Sequence, residues 1–236
     1  MSEISSNRFA EAQNAEVSRW RDCASNRDVV RHEIAEHADI GNHLRRAVGD
    51  RTFERGLEVG IGPYSMGFLA PHFHDRLKAI EGIDPLPRLD VRVDDAELQA
   101  QVEAIRGRVH YTRGPAEALP YESSTYDIVS CINVVDHAQS PDAILREINR
   151  VLKPGGILAF AVSTLSRLGE AAWKIRRRMN PNTFLFLAHP HTFQWPRADR
   201  LVQTVPGETL WCDRPGWLTR EAGHGRMSYW IRRKET

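Results

Sequence analysis

Glu58, Gly60, Gly62 and Pro63 fall within six positions of one another in the stretch "LEVGIGP", directly after an apolar start. Glycines placed so closely let the backbone turn sharply and let a ligand approach without a Cβ in the way. A dinucleotide site needs G-x-G-x-x-G/A, and here Ser65 holds the third position. A pyrophosphate also prefers a helix N-terminus free of acids. The Glu58 carboxylate would repel phosphates and welcome a cation. Asp84, 22 residues after Gly62, supplies a carboxylate able to accept both hydroxyls of a ribose and to oppose a 2′-phosphate. Acids often end strands, and NAD enzymes have one there too, so Asp84 alone decides little. Together with the turn it points to an adenosine carrying an amino-acid sulfonium.

Histidine titrates near neutral pH, which makes His137 the first candidate base, with His189 and His191 a second group. His189 and His191 at i, i+2 could also bind a metal, but no acid or cysteine stands near them in sequence. Cys23, Cys131 and Cys212 are far apart and form no CxxC pair. Neither a metal site nor a disulfide framework is expected.

These residues must be positioned by alternating strands and helices. "RGLEVG" reads as a strand entering the glycine turn, followed by a helical stretch around Met66 to Phe73. "LKAIEGID" is a second strand ending at Asp84, "RVHYTRG" a third and "YDIVSCINVV" a fourth, almost continuously apolar. Strands buried on both faces have this look, which favours a parallel sheet covered by helices. A helix follows with Ser140 as N-cap and Pro141 in its first turn, its stripe formed by Ile144, Leu145, Ile148, Val151 and Leu152. "KPGG" stops it and "GILAFAV" is a fifth strand. "ETLWCD" and "RMSYWIRRK" close the sheet as an antiparallel edge hairpin, joined by a loop-like link. The expected fold is therefore α/β, a Rossmann-like doubly wound sheet of about seven strands. Residues 1–50 read as an N-terminal helical cap with Val30, Ile34, His37, Ile40 and Leu44 on one face, stopped at Gly49-Asp50. Residues 51–236 form the sheet domain, with a lid segment at about 165–195.

Composition narrows the partners. The 236 residues carry 32 basic and 31 acidic groups, which argues against a general nucleic-acid binder. The charge is uneven: from Leu165 onward 13 Lys and Arg face 6 Asp and Glu, which suits an anionic substrate or a solvated face. No apolar run approaches a membrane span and "MSEISSNRF" lacks a signal-peptide core, so a reducing, cytoplasmic setting is the default. The amphipathic N-terminal helices could serve a homodimer.

Four motifs carry a resemblance to the class I S-adenosylmethionine-dependent methyltransferases, in particular the small-molecule group called methyltransferase type 11. They are "LEVGIGP", "GIDP", "GPAEALPYESSTYDIVSCINVVDH" and "AILREINRVLKPGGIL", in the family's order over about 55–162. The resemblance implies S-adenosylmethionine as cofactor and S-adenosylhomocysteine as product. It places Glu58, Gly60, Gly62 and Pro63 at the cofactor turn, Asp84 on the ribose, and Pro85 and Leu86 beside the adenine. Ala116 and Glu117 also lie by the adenine, and Asn133 by the methionine portion. One position departs from the family: Pro115 stands where an aspartate usually offers its carboxylate to the adenine amino group.

The same resemblance puts His137 at the rim where acceptors approach, as a candidate base with packing at a helix start as the other reading. It makes "HPH-x-F", with His189 and His191, part of the acceptor pocket's closure. It sets the Arg176, Arg177 and Arg178 cluster in the covering segment, where Arg178 could read an acidic acceptor. The implied activity is methyl transfer to a small polar or anionic metabolite or a sugar-containing compound, on oxygen or nitrogen. Alternatives are a larger acceptor such as a glycan end or protein, and a non-catalytic S-adenosylmethionine-binding subunit assisting a partner enzyme. An NAD oxidoreductase is disfavoured by the missing third glycine.

Overall fold

The computed structural model describes residues 6–181, 183–223 and 225–236. Its centre is a seven-stranded sheet in the order β3-β2-β1-β4-β5-β7-β6. The strands are β1 (Phe53–Val59), β2 (Leu77–Asp84), β3 (Val109–Arg113), β4 (Tyr126–Ile132), β5 (Leu152–Thr164), β6 (Gly207–Cys212) and β7 (Arg226–Lys234). β1 to β5 pair in parallel, and β7 runs antiparallel to both β5 and β6. The chain order reverses between β1 and β4, so a crevice opens beyond the C-terminal ends of these two strands, where open α/β sheets bind ligands.

Alternate residues of each strand enter two separate cores. Leu57, Val59, Val129, Cys131, Leu158 and Phe160 pack into one, while Ile128, Ile157 and Ala159 pack into the other. Both faces being covered accounts for the continuous apolar character of β4 and β5. The helix α6 (Pro141–Val151) follows its sequence signals closely, with Ser140 at the N-cap, Pro141 in the first turn, and Ile144, Leu145, Ile148 and Val151 buried. β5 begins at Leu152, earlier than the "GILAFAV" reading, and its Gly155 takes φ +70°.

Elsewhere the chain departs from the sequence reading in detail. The 66–73 stretch holds only one helical turn, α4 (Leu69–His72), because Gly67 takes φ +50° and breaks what precedes it. A helix α5 (Ala96–Gly107), absent from that reading, is capped by the Asp95 side chain accepting from the Leu98 N–H. The link before β7 contains the short helix α10 (Trp217–Ala222) between Gly216 and Gly223.

The N-terminal segment folds as three helices, α1 (Ser6–Cys23), α2 (Arg27–Ala35) and α3 (Ala38–Val48). Asn26 caps α2 with its side chain, and His37 at φ +69° separates α2 from α3. Val30, Ile34, Ile40 and Leu44 join the core beneath them. Their apolar faces thus pack inside the chain. α1 buries little of its own, and packs against α8 (Phe184–Ala188). The preceding helix α7 (Arg167–Met179) has no buried residue, and α9 (Trp195–Val202) returns the chain to the sheet. No described helix is long and apolar enough to cross a membrane.

Candidate active site

A cavity of about 260 Å³ lies at the switch point between β1 and β4. It is walled on one side by the strand ends and on the other by α1 and α2. Glu58, Gly60, Gly62, Pro63, Asp84, Pro85, Leu86, Ala116, Glu117 and Asn133, drawn from four separated stretches, all line it.

The glycine turn is held by its own backbone. The Gly60 and Ile61 N–H groups both donate to the Ile83 carbonyl, at 2.8 and 3.3 Å, so the end of β2 fixes the turn after β1. Gly60 sits at φ +71°, and a Cβ there would lie 2.3 Å from a methyl of Val134. Gly62 sits at φ +76° with nothing within 4 Å of the Cβ it lacks. Protein fills the space beside the first glycine, and the cavity fills the space beside the second. Ser65, in the third-glycine position, is fully buried at φ +54°, and Asn133 takes φ +58°. Left-handed backbone at non-glycine residues costs of order 1–3 kcal/mol and clusters at functional sites.

Asp84 accepts the Gly62 N–H on one carboxylate oxygen at 2.8 Å and the Leu86 N–H on the other at 2.9 Å. It therefore ties the glycine turn to the segment expected beside the adenine. Each carboxylate oxygen keeps a lone pair for a further donor, which is what a ribose diol offers. Burial pushes this carboxyl up to about 6, against the lowering effect of those two N–H groups. The sign for binding follows. Hydroxyl donors favour the ionised form, so affinity for S-adenosylhomocysteine should strengthen as pH rises through about 6. Calorimetric titration at pH 5 and pH 7.5 should differ by about tenfold, and Asp84→Asn should flatten the profile.

Glu58 has a second duty beside the one its sequence position suggested. Its carboxylate is buried, accepts the Leu69 N–H at 2.7 Å, and lies against the Gly67 turn. Burial pushes it up to about 7. It lines the cavity, yet it also caps the loop leading into α4, a structural duty that sequence reasoning missed. Glu117 is similar: it accepts the Gln139 and Ser140 N–H groups at 2.9 and 3.2 Å, holding the start of α6.

The residues expected at the acceptor end separate. His137 lines the cavity, with its Nδ1 against Glu16 of α1 and its Nε2 3.8 Å from Asp136. Burial opposes its charge, but Asp136 and Glu16 prevail and push it up to about 9. An imidazolium has no lone pair with which to take a proton, so this geometry does not equip His137 as the base. His189 stacks obliquely on His137, with centroids 4.3 Å apart, outside the cavity lining. His191 is buried, its Nε2 3.0 Å from the Ala138 carbonyl, and serves packing. Arg178 is exposed on α7, and no residue of 165–195 is among the described residues lining the cavity. The reason is that α8 lies on the outer side of α1, which itself closes the cavity.

Sequence reasoning missed the closing residues altogether. Phe9, Gln13, Glu16, Trp20, Glu33 and Glu36 come from α1 and its neighbours. Glu33 is pushed up to about 7 by burial and by the adjacent Glu36. No Lys or Arg is among the described lining residues. A signal existed in the acids and aromatics of the N-terminal segment, but helical periodicity places only their own face, not the cavity they meet.

Residues 57–160 match a family model described as a methyltransferase domain. The chain is 28% identical over 162 residues to a malonyl-[acyl-carrier protein] O-methyltransferase of Enterobacter lignolyticus, covering 64% of this chain and 60% of that one. It is 32% identical over 145 residues to a ubiquinone biosynthesis O-methyltransferase of Leptothrix cholodnii, covering 61% and 53%. The chain thus spans about half to three-fifths of the length of these curated relatives. Among solved structures, a phospholethanolamine N-methyltransferase 2 of Haemonchus contortus, in complex with phosphomonomethylethanolamine and S-adenosylhomocysteine, superposes with TM-score 0.60. There the identity is 14%, covering 92% of this chain and 61% of that one. Likeness at that identity shows the fold.

Proposed function

We propose that residues 57–160, which match a methyltransferase-domain model, belong to the class I S-adenosylmethionine-dependent family, and that the chain transfers a methyl group from S-adenosylmethionine to a small polar acceptor, on oxygen or nitrogen. The observation that carries this reading is the single cavity lined by all ten residues expected to hold the cofactor. The residues fit the group: Asp84 keeps acceptor capacity for a ribose diol, and Gly62 borders open space where a ligand backbone could pass.

When bound, the cofactor supplies an electrophilic methyl on a sulfonium. The protein's part is to hold the acceptor in line behind that methyl and to keep water out, which supplies much of the rate in such displacements. α1 closes the cavity with Phe9 and Trp20, against Tyr64 of the loop after β1, and Tyr64 is fixed by donating its hydroxyl to the Trp20 carbonyl at 2.6 Å. Asn133, at the end of β4 with its N–H on the Ala161 carbonyl, faces the methionine side in this reading.

The acid-rich lining supports a neutral or cationic acceptor over an anionic one, since a buried anion would meet Glu16, Glu33 and Glu36 with only His137, itself paired with Glu16, as a cation among the described lining residues. Arg176 and Arg178 are left on a solvated face, while Arg177 between them donates to the Pro190 carbonyl at 3.3 Å. The N-terminal helices act as the expected cap over the described residues 6–50, which leaves the expected homodimer without their apolar faces. A larger acceptor or a non-catalytic cofactor-binding role remains the second reading, because the named relatives extend beyond the aligned segment.

The test is a screen of host metabolite extract with isotopically labelled S-adenosylmethionine. One mass should gain a single methyl with equimolar release of S-adenosylhomocysteine. Tight S-adenosylhomocysteine binding without any release would favour the non-catalytic reading. Binding of NAD with no affinity for S-adenosylhomocysteine would refute the proposal.

A further inference from the structure

Beside the cavity, three elements converge on one buried carboxylate. Asp136, in the turn after β4, has its side chain only 3% exposed, and neither of its oxygens has a hydrogen-bond partner. A buried carboxylate left this way costs several kcal/mol unless something positive reaches it. Two imidazole nitrogens face its Oδ2: His137 Nε2 at 3.8 Å and His189 Nε2 at 3.9 Å. The remaining nitrogen of each ring also has an oxygen neighbour. His137 Nδ1 lies against the Glu16 carboxylate of α1, and His189 Nδ1 lies 3.0 Å from the Leu185 carbonyl within α8.

With the Nδ1 proton held by a carboxylate or carbonyl, each ring would bind a cation through Nε2, the orientation of metal-bound histidines, and at His137 the cation would displace the Nε2 proton that makes the ring an imidazolium. Both Nε2 atoms lie within 4 Å of the orphaned Asp136. The Ala188 carbonyl lies near the same His137 ring and adds oxygen to the surroundings. One candidate donor atom from each of Asp136, His137 and His189 falls within 4.8 Å of the others.

We propose that Asp136, His137 and His189 bind a divalent transition-metal ion, with Glu16 and the Leu185 carbonyl orienting the two imidazoles. Ligands on a tetrahedral zinc at about 2.0–2.2 Å stand about 3.4 Å apart. The observed 3.8 and 3.9 Å separations from Asp136 need to close by about half an ångström, and the donor atoms of the two imidazoles, which lie within 4.8 Å of each other, by at most about 1.4 Å. Two imidazoles and a carboxylate suit zinc, cobalt, iron or manganese and disfavour magnesium, which prefers an all-oxygen shell. Three protein donors leave a position for water or for an oxygen of a bound molecule, and His137 and Glu16 both border the cavity. The sequence reading expected no metal because it sought a companion near His189 and His191. The fold supplies one from 53 residues upstream of His189, in Asp136, and leaves His191 out. The site does not depend on methyl transfer and would stand if that reading failed.

The test is metal uptake by the full chain after stripping with a chelator. Zinc, cobalt and magnesium are titrated separately in a calorimeter, with bound metal counted by mass spectrometry. One equivalent of zinc should bind with Kd below about 1 μM, as should cobalt with visible absorption bands, while magnesium should not bind. His189→Ala, at a ring 24% exposed, should weaken zinc at least a hundredfold and abolish the cobalt bands. Glu16→Gln should weaken it by about 10–100-fold. His32→Ala, at an exposed histidine, should bind as the parent does. Asp136→Asn should abolish uptake if it folds by circular dichroism, and His189→Ala decides the matter if it does not. No stoichiometric zinc or cobalt below about 100 μM, or uptake unchanged in His189→Ala, overturns the proposal. Either result would identify the cluster as a protonated His137 held between Glu16 and Asp136.

Discussion

Asp84→Asn should lower S-adenosylhomocysteine affinity at least a hundredfold, about 2.7 kcal/mol, in a chain that still folds. Two losses combine. A carboxylate accepting a hydroxyl makes a charge-assisted bond, about twice as strong as its neutral counterpart, and the amide can offer the ribose only one accepting oxygen. The second loss is internal. Both oxygens of Asp84 accept backbone N–H groups, from Gly62 and Leu86, and an amide must turn its NH₂ toward one of them. Donor then faces donor, and the turn or the adenine segment opens. Because the empty protein already holds this carboxyl up to about 6 by burial, the substitution removes an ionisation cost, so its thermal stability should change little. Calorimetric titration and a melting curve on the same preparation separate the effects. Equal affinity in the two proteins would mean that Asp84 serves the loop and not the ligand.

The second large effect distinguishes two glycines two residues apart. Gly60→Ala should destabilise the fold by about 2–4 kcal/mol, combining an overpacked contact with an unfavourable backbone. Its Cβ would lie 2.3 Å from Val134, and φ is +71°. Gly62→Ala carries the backbone strain alone, about 1–2 kcal/mol, since nothing lies within 4 Å of the new methyl. That methyl instead projects into the cavity. Urea unfolding should therefore show the larger loss for Gly60→Ala. Cofactor titration should show Gly62→Ala folded yet weakened at least tenfold. If Gly62→Ala bound S-adenosylhomocysteine as the parent does, the cofactor would not pass over this turn.

The two glycines also show how far sequence could reach. Their spacing with Glu58 and Asp84 was readable because it is local. A strand, a tight turn and a strand-end acid are each set by a few neighbouring residues, and hydrophobic patterning fixes which strands are buried. Pro141 and Ser140 at the start of α6 were readable for the same reason. Which glycine meets protein and which meets the cavity was not, because Val134 reaches Gly60 from the turn after β4, a strand that joins β1 only in the folded sheet.

The acceptor end shows the converse. His137 read as a candidate base or as a residue packed at a helix start, His189 and His191 as a pair closing the pocket, and Arg178 as a reader of anions or part of an exposed basic face. Each reading used sequence neighbours. The fold gave His137 to Glu16 and Asp136, separated His189 from His191, and left Arg178 on an exposed helix. α5 was overlooked although Asp95 announces its start, and α1 to α3 were seen as helices without the cavity they close.

The sequence by itself determined the alternating architecture, the glycine turn and the carboxylate 22 residues beyond it, since these depend on backbone conformation and short-range periodicity. Only the tertiary structure decided what covers the cavity, the sign of its charge, and the meeting of Asp136 with two histidines. Those depend on contacts between elements far apart in the chain, where the energy of burying a charge is set by which groups arrive beside it.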